Sequence, residues 1–287
     1  MSIEKIKKLR IMTGAGMMDV KKALDASNGD IDEAIKWLRT NGIAKAAKKS
    51  DRVAAEGSIF VLKNDDKAIM LEINSETDFV ASNELFISGS TKIAKVILNS
   101  KVKSNDLDSA FSLSVDNETI ESLLTNMTAT IGEKITLRRF VIVKGETGIY
   151  KHANSRIGVI VSGKGINPEI LKDVSMHVAA MNPEFLSKDE ISSKKVQEET
   201  ALAKEQLSSV LEGKPEKVQK NIIKGKVDKV LSENVLLEQS FVKDPSKKVK
   251  DLAGSGTFKS FIRYEVGEGI EKKEENFAEE VAKQMQK

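Results

Sequence analysis

The chain has 287 residues, with 46 Lys and Arg against 43 Asp and Glu, a formal charge of +3 and 40% hydrophobic residues. Charges of both signs are interspersed, which excludes an apolar membrane protein and a single-sign disordered tail. A soluble, globular chain remains, long enough for two or three units with cores of their own. The absence of cysteine removes disulfides, thiol nucleophiles and thiolate metal sites together, and fits a reducing, cytoplasmic setting. Residues Met1 to Arg10 have no apolar run and carry Glu4, so they read as helix rather than as an export signal, and the mature protein is expected to begin near Met1.

In chain order, Ile3, Ile6 and Leu9 recur at threes, Thr13-Gly14-Ala15-Gly16 interrupts, and Met17, Val20 and Leu24 resume a helical stripe that ends at Asn28-Gly29. Asp30 and Glu33 have capping-box spacing ahead of Ile31, Ala34, Ile35 and Leu38, which predicts a third helix closed by Gly42. Residues 1–42 are then a helical module. Residues 43–56, rich in Ala and in Lys45, Lys48, Lys49 and Arg52, read as a linker.

From Gly57 the period changes to two. Ile59 to Leu62, the turn Asn64-Asp65-Asp66 and Ile69 to Ile73 predict a hairpin. Helical patterns follow at Leu85 to Leu98 and Ile120 to Ile131, and Ile135 to Val143 returns to strand. A second pass repeats the order: strand Ile149 to Lys151, turn Asn154-Ser155, strand Ile157 to Val161, helix Pro168 to Met181 and strand Phe261 to Val266. The fold class is therefore α+β, with two related halves at 57–145 and at 146–186 joined with 232–266. Between the two pieces of the second half, Val196, Thr200, Ala203, Leu207 and Val210 are spaced as a coiled-coil seam. Gly213 and Pro215 mark a turn and Val218, Ile222 and Val227 to Leu231 return, which predicts an antiparallel hairpin over 187–231. So narrow a seam calls for packing on another chain or on the protein's own core. In the tail, 267–287, a short amphipathic helix is expected over Glu274 to Gln286, with Phe277 and Val281 on one face.

Catalytic chemistry finds little support. Gly14-Ala15-Gly16 lacks the Lys-Ser/Thr of a phosphate loop, and the other paired glycines lack the setting of a dinucleotide fingerprint. Only His152 and His177 are present; His177 lies on an apolar helix and reads as structural, whereas His152 sits in a strand-to-strand turn open to a partner. No metal site and no cofactor is expected, and the chain does not read as an enzyme. The basic linker admits a ribosome- or RNA-associated binding protein as an alternative, although aromatics are few and no RNA-binding motif accompanies the charge.

One segment stands out by charge. Ala68 to Thr91 contains no Lys or Arg and carries Glu72, Glu76, Asp78 and Glu84. Within it, Thr77-Asp78-Phe79-Val80 joins a predicted strand to a predicted helix. Either Asp78 and Phe79 are presented to a protein partner, or Phe79 and Val80 staple the helix to the core with Asp78 as its cap; the residues alone leave both readings open.

Met12-Thr13-Gly14-Ala15-Gly16-Met17-Met18-Asp19-Val20, Thr77-Asp78-Phe79-Val80-Ala81, Arg156-Ile157-Gly158-Val159, Met176-His177-Val178-Ala179-Ala180, Phe241-Val242-Lys243-Asp244-Pro245-Ser246 and Phe261-Ile262-Arg263-Tyr264-Glu265-Val266-Gly267-Glu268-Gly269 together resemble the bacterial translation elongation factor Ts family from end to end. The resemblance implies a ubiquitin-associated-like N-terminal domain, a core of two α+β subdomains, an inserted coiled-coil dimerisation hairpin and a C-terminal helical module. It implies nucleotide exchange on elongation factor Tu, with Thr77, Asp78, Phe79 and Val80 disturbing that partner's magnesium and phosphate site. Further contacts with the partner are implied at Met17, Met18, His152 and Phe277, a homodimer through the hairpin, and neither membrane nor direct nucleic-acid binding. Two positions depart from the family pattern: Ser75, where many relatives have Cys, and the turn Lys151 to Arg156, where a glycine is usual.

Overall fold

The computed structural model describes residues 3–271; the tail helix expected over Glu274 to Gln286 lies outside them. Three helices come first, α1 (Ile3–Thr13), α2 (Met17–Ala26) and α3 (Ile31–Ala47). Leu9, Val20, Ala23, Leu24 and Ala34 form their shared core, and Asp30 caps α3 by accepting the Glu33 N–H at 2.8 Å. Gly42 does not end α3. It is buried against a later helix, where an added Cβ would lie 3.2 Å from that of Ala129, so this glycine permits a helix contact and the Ala- and Lys-rich sequence beyond it stays helical. Part of the expected linker is therefore helix.

The first sheet has the antiparallel order β1 (Glu56–Lys63), β2 (Lys67–Ser75), β5 (Thr136–Lys144). Between β2 and β5 run α4 (Glu84–Asn99), the short α5 (Leu107–Phe111), the two-residue strands β3 (Ser114–Val115) and β4 (Glu118–Thr119), and α6 (Ile120–Ile131). The second sheet is β6 (Thr147–Lys151), β7 (Ile157–Lys164), β10 (Thr257–Glu265), again antiparallel with the second hairpin strand in the middle. α7 (Pro168–Met181) covers it; α8 (Ser193–Gln206), α9 (Ser208–Leu211), α10 (Glu216–Glu233) and the hairpin β8 (Ser240–Phe241) and β9 (Asp244–Lys248) precede β10. The chain is thus a mixed α+β protein with helices ahead of antiparallel sheets and helices.

The parity of β2 shows how the sheets are layered. Ile69, Leu71 and Ile73 meet Phe86, Ile93, Ile97 and Leu124 of α4 and α6, whereas Ala68 and Met70 meet Ile59, Ile160 and Tyr264, so the opposite face packs on the second sheet. Both faces of β2 are buried, which accounts for its nearly unbroken apolar sequence. Gly158 of β7 makes the contact possible, because a Cβ there would stand 2.4 Å from Ile59 and 2.9 Å from Met70 and Val61 side-chain atoms.

Glu72 and Asn74 interrupt the apolar run on the sheet-to-sheet face, and both are fully buried. The Glu72 carboxylate accepts from Arg138 at 3.0 Å, Arg139 Nε at 2.6 Å, Asn74 Nδ2 at 3.0 Å and the Gly267 N–H at 2.8 Å. Arg139 also bonds Glu268 at 3.0 Å and lies 4.0 Å above the Tyr264 ring. Burial pushes the Glu72 carboxyl up, and the Gly267, Asn74 and Arg139 hydrogen bonds outweigh it, holding the group below the ordinary carboxylate range. His177 is structural in the same sense. Fully buried on α7, it accepts the Val242 N–H at Nδ1 (3.1 Å) and so bonds Gln239 Oε1 (2.9 Å) through a protonated Nε2, a neutral ring whose pKa burial lowers.

The helical hairpin is present, and Ala203, Leu207, Ile222, Val227 and Leu231 of the expected seam pack within it. Ala203, Leu211, Ile223, Val227 and Leu231 are buried together, while Val196, Val210 and Val218 are exposed. Helix α8 stops at Leu207, and the new turn of α9 rotates Leu211 inward in place of Val210.

Gly158→Ala is expected to destabilise the fold by about 1–3 kcal/mol through overpacking between the sheets; urea unfolding at wild-type midpoint would contradict that packing. Both shifted groups act in acid. A depressed histidine pKa means that the unfolded chain takes up the proton first, so the contribution of His177 is complete above its unfolded value of 6.5 and is lost as pH falls below it. That of Glu72 is lost further down, below 4.5. A His177→Asn variant should melt lower than wild type at about pH 8, with a melting temperature that falls less steeply below about pH 6.5; parallel slopes would contradict the assignment.

Candidate functional site

β2 leads directly into the turn at Thr77 to Val80. Its last residue, Ser75, is fully buried and donates its hydroxyl to Thr77 O at 2.8 Å, so this serine fastens the turn. Thr77 donates its N–H to Glu133 Oε2 at 2.9 Å and its hydroxyl to Glu133 Oε1 at 2.7 Å. Val80 is buried in the first core, and Asn83 caps α4 by accepting from Leu85 and Phe86. Phe79, at the start of the 3-10 turn Phe79–Ser82, is 83% exposed. Asp78 is exposed too and makes no capping bond. Stapling therefore falls to Val80 and capping to Asn83, and neither occupies Phe79 or Asp78. A large apolar side chain held in water on well-fastened backbone has the geometry of a docking anchor.

The acidic character of this segment is not a surface field. Glu72 lies inside the fold against Arg138 and Arg139, and Glu76 pairs with Arg52 at 3.1 Å. Only Asp78 and Glu84 are exposed among its four acids. The same contacts account for part of the basic stretch: Arg52 faces Glu76, and Lys45, on α3, pairs with Asp19 at 2.7 Å. Half of the four bases on which an RNA-binding reading rested thus have acidic partners within the chain.

Met17 and Met18 open α2 and are 58% and 65% exposed, beside Ile11 at 76% and Met12 at 55%. The Thr13–Gly16 loop that precedes them is a helix-to-helix turn. Gly14 takes φ 67°, and the Thr13 hydroxyl accepts the Ala15 N–H while donating to Leu9 O. Gly14 faces Thr130 of α6 and Leu85 of α4, so the exposed methionines are carried by a loop that rests on the helix following Phe79.

His152 sits in the exposed β6–β7 turn, with Nδ1 2.9 Å from the Tyr150 hydroxyl. Here Ser155 adopts φ 58°, the left-handed conformation for which glycine is the usual choice, while Asn154 accepts the Arg156 N–H and Ser155 O accepts the Ile59 N–H at 2.8 Å. The turn is tied to β1 through that last bond. His152 follows β6 of the second sheet and Phe79 follows β2 of the first, so the two are presented from different sheets. Phe277 lies outside the described residues.

Among the described residues no group of three His, Asp or Glu could hold a metal ion, and no helix is long and apolar enough to cross a membrane. Sequence reading missed Glu133, Lys134 and Arg52 as fasteners of the Phe79 turn. They come from the far end of α6 and from beyond α3, and no local pattern marks such long-range hydrogen bonds.

Residues 76–268 match the protein family described as "Elongation factor TS". Two similar relatives, both named "Elongation factor Ts" and both from Limosilactobacillus reuteri, strain DSM 20016 and subsp. reuteri strain JCM 1112, are 46% identical over 286 residues, covering 98% of this chain and 97% of the relative. With a family match that takes in the Phe79 turn and relatives 46% identical over 98% of the chain, the chain belongs to the elongation factor Ts family, the nucleotide exchange factors of elongation factor Tu.

Proposed function

We propose that the protein releases GDP from elongation factor Tu by placing Phe79 and Asp78 at the edge of that partner's magnesium and phosphate site, with Thr77 and Val80 holding them there. The observation that carries this reading is Phe79, 83% exposed on a turn fastened through Thr77 and Val80. Exchange forms and breaks no covalent bond. The factor therefore has only to bind the nucleotide-free partner more tightly than the GDP-bound one, and GDP must weaken its binding by the same factor. Burying one Phe side chain stabilises a complex by about 1.5–3 kcal/mol, roughly ten- to a hundredfold in affinity. That is too little to displace a tightly held nucleotide unaided. The bulk of the binding energy comes from elsewhere: from Met17 and Met18 on the N-terminal helices, from His152 on the second sheet and from Phe277 in the C-terminal module. These contacts hold Phe79 where it disturbs the partner's metal and phosphate ligands. The magnesium is the partner's, and this chain needs no cofactor.

On the same reading residues 1–42 are the core of a ubiquitin-associated-like domain and 43–56 connect it to the core, 57–145 and 146–186 with 232–266 are the two core subdomains, 187–231 is a dimerisation hairpin, and 267–287 is a C-terminal module. The exposed Val196, Val210 and Val218 support a second copy as the cover for the hairpin. The work of the protein lies in the cytoplasm, where elongation factor Tu cycles.

Phe79→Ala should lower the maximal rate of labelled GDP release from elongation factor Tu by about tenfold or more, with unfolding unchanged because the side chain is 83% exposed. Unchanged acceleration at unchanged affinity would overturn the role of Phe79 and leave the family membership intact. For the hairpin, Val196→Lys with Val218→Lys should yield a monomer by sedimentation equilibrium if the wild type is a dimer, and exchange should survive; a double variant that remains a dimer would contradict that interface.

A further inference from the structure

We infer that Glu133 is a positioning residue for exchange, the member of a reciprocal clasp that keeps the Asp78–Phe79 turn from yielding when Phe79 meets the partner. The inference rests on the role proposed for Phe79.

The ladder between β2 and β5 ends at the pair Asn74 and Thr136. Beyond it, residues 76–79 have no strand partner until Val80 reaches the core. The clasp spans this gap. Glu133 accepts the backbone N–H and the hydroxyl of Thr77, and Glu76 in return accepts the backbone N–H of Lys134 at 2.7 Å. Two consecutive residues of the turn thus exchange side-chain-to-backbone hydrogen bonds with two consecutive residues of the α6–β5 connection. Gly132 sets up the exchange: its φ of 92° ends α6 and turns the chain so that Glu133 and Lys134 face Thr77 and Glu76.

A third segment joins the clasp. Lys134 Nζ donates to the carbonyl oxygens of Ser50 and Arg52, and Arg52 donates back to Glu76 at 3.1 Å. The chain leaving α3 is therefore tied to the same residues as the Phe79 turn, which links the N-terminal helices to it. A contact made at Met17 and Met18 then fixes where Phe79 arrives.

The hydrophobic core does not require this arrangement. β2 and β5 are already paired, and α6 is seated through Ile120, Leu124 and Met127. What depends on the clasp is the stiffness of the four residues that carry the anchor. A side chain can distort a partner only if its own backbone yields less than the partner does, and hydrogen bonds to a carboxylate are the stronger class available for holding it.

The test is release of labelled GDP from elongation factor Tu by the full chain, titrated to saturation, for wild type, Phe79→Ala, Glu133→Ala, Glu133→Gln and Thr77→Val, with melting curves for each. In Glu133→Ala the maximal rate should fall by about tenfold while the half-saturating concentration stays within about twofold, the split expected of a group that acts on the exchange step rather than on binding. Glu133→Gln should recover most of the rate, because an amide can accept the Thr77 N–H and donate to the Thr77 hydroxyl. Thr77→Val, which keeps the backbone half of the clasp, should show a smaller fall with the same split, and it carries the test if Glu133→Ala does not fold. Wild-type rates in both Glu133→Ala and Thr77→Val, a rise in half-saturation with the maximal rate intact, or a Glu133→Gln as slow as Glu133→Ala would each overturn the inference. A Phe79→Ala as fast as wild type would instead remove the reading on which it rests.

Discussion

A carboxylate with no exposure to water must find its partners within the fold, and Glu72 finds them on three pieces of the chain. Arg138 and Arg139 come from β5, Asn74 from β2 itself and the Gly267 N–H from the exit of β10. Burying such a charge costs several kcal/mol unless its lone pairs are met by donors, and removing one partner is worse than never having had the pair. The position of each of these segments is therefore determined by the others. Gly158 allows the two sheets to approach, and Glu72 fixes how they meet at this edge. The end of β2, and with it the turn that carries Phe79, inherits that rigidity. So does the start of the C-terminal segment, whose Glu268 pairs with Arg139.

This arrangement suits a protein that acts by differential binding. Nothing in exchange asks for a nucleophile or a general base, and the two histidines are engaged accordingly: His177 as a neutral internal linker, His152 on an exposed turn. What exchange does ask for is a surface whose parts keep fixed distances from one another, so that attachment at several places determines where one exposed side chain goes. The N-terminal helices, the β6–β7 turn and the Phe79 turn are each joined to the sheets by specific hydrogen bonds, through Lys134, Ser155 and Glu133 respectively.

Much of the architecture was legible because its signals are local. The period-two runs from Ile59 to Ile73 and from Ile149 to Val161, and the cap at Asp30, each depend on neighbours in sequence. The misreadings arose where the deciding neighbour is remote. Gly42 is a stop signal by composition and a contact glycine once Ala129 lies against it. The expected seam holds at Ala203, Leu207 and Ile222 but departs at Val210, where a one-residue break at Leu207 brings Leu211 inward. The acidic run from Ala68 to Thr91 stands out by composition, yet Arg52, Arg138 and Arg139 pair with two of its four acids through space. At the candidate site, composition singled out the Thr77 to Val80 turn and the resemblance supplied its meaning, but only coordinates separate the buried Val80 from the exposed Phe79. Glu133 was invisible for the same reason.

On the role proposed for Phe79, this side chain couples binding of the protein to loss of GDP. The most direct measurement of that coupling is the affinity of the protein for elongation factor Tu in the nucleotide-free and the GDP-saturated states, by titration calorimetry, for wild type and Phe79→Ala. The wild type should show a large preference for the nucleotide-free partner, and the variant a preference reduced by about tenfold or more. Equal preferences in the two proteins would contradict that role.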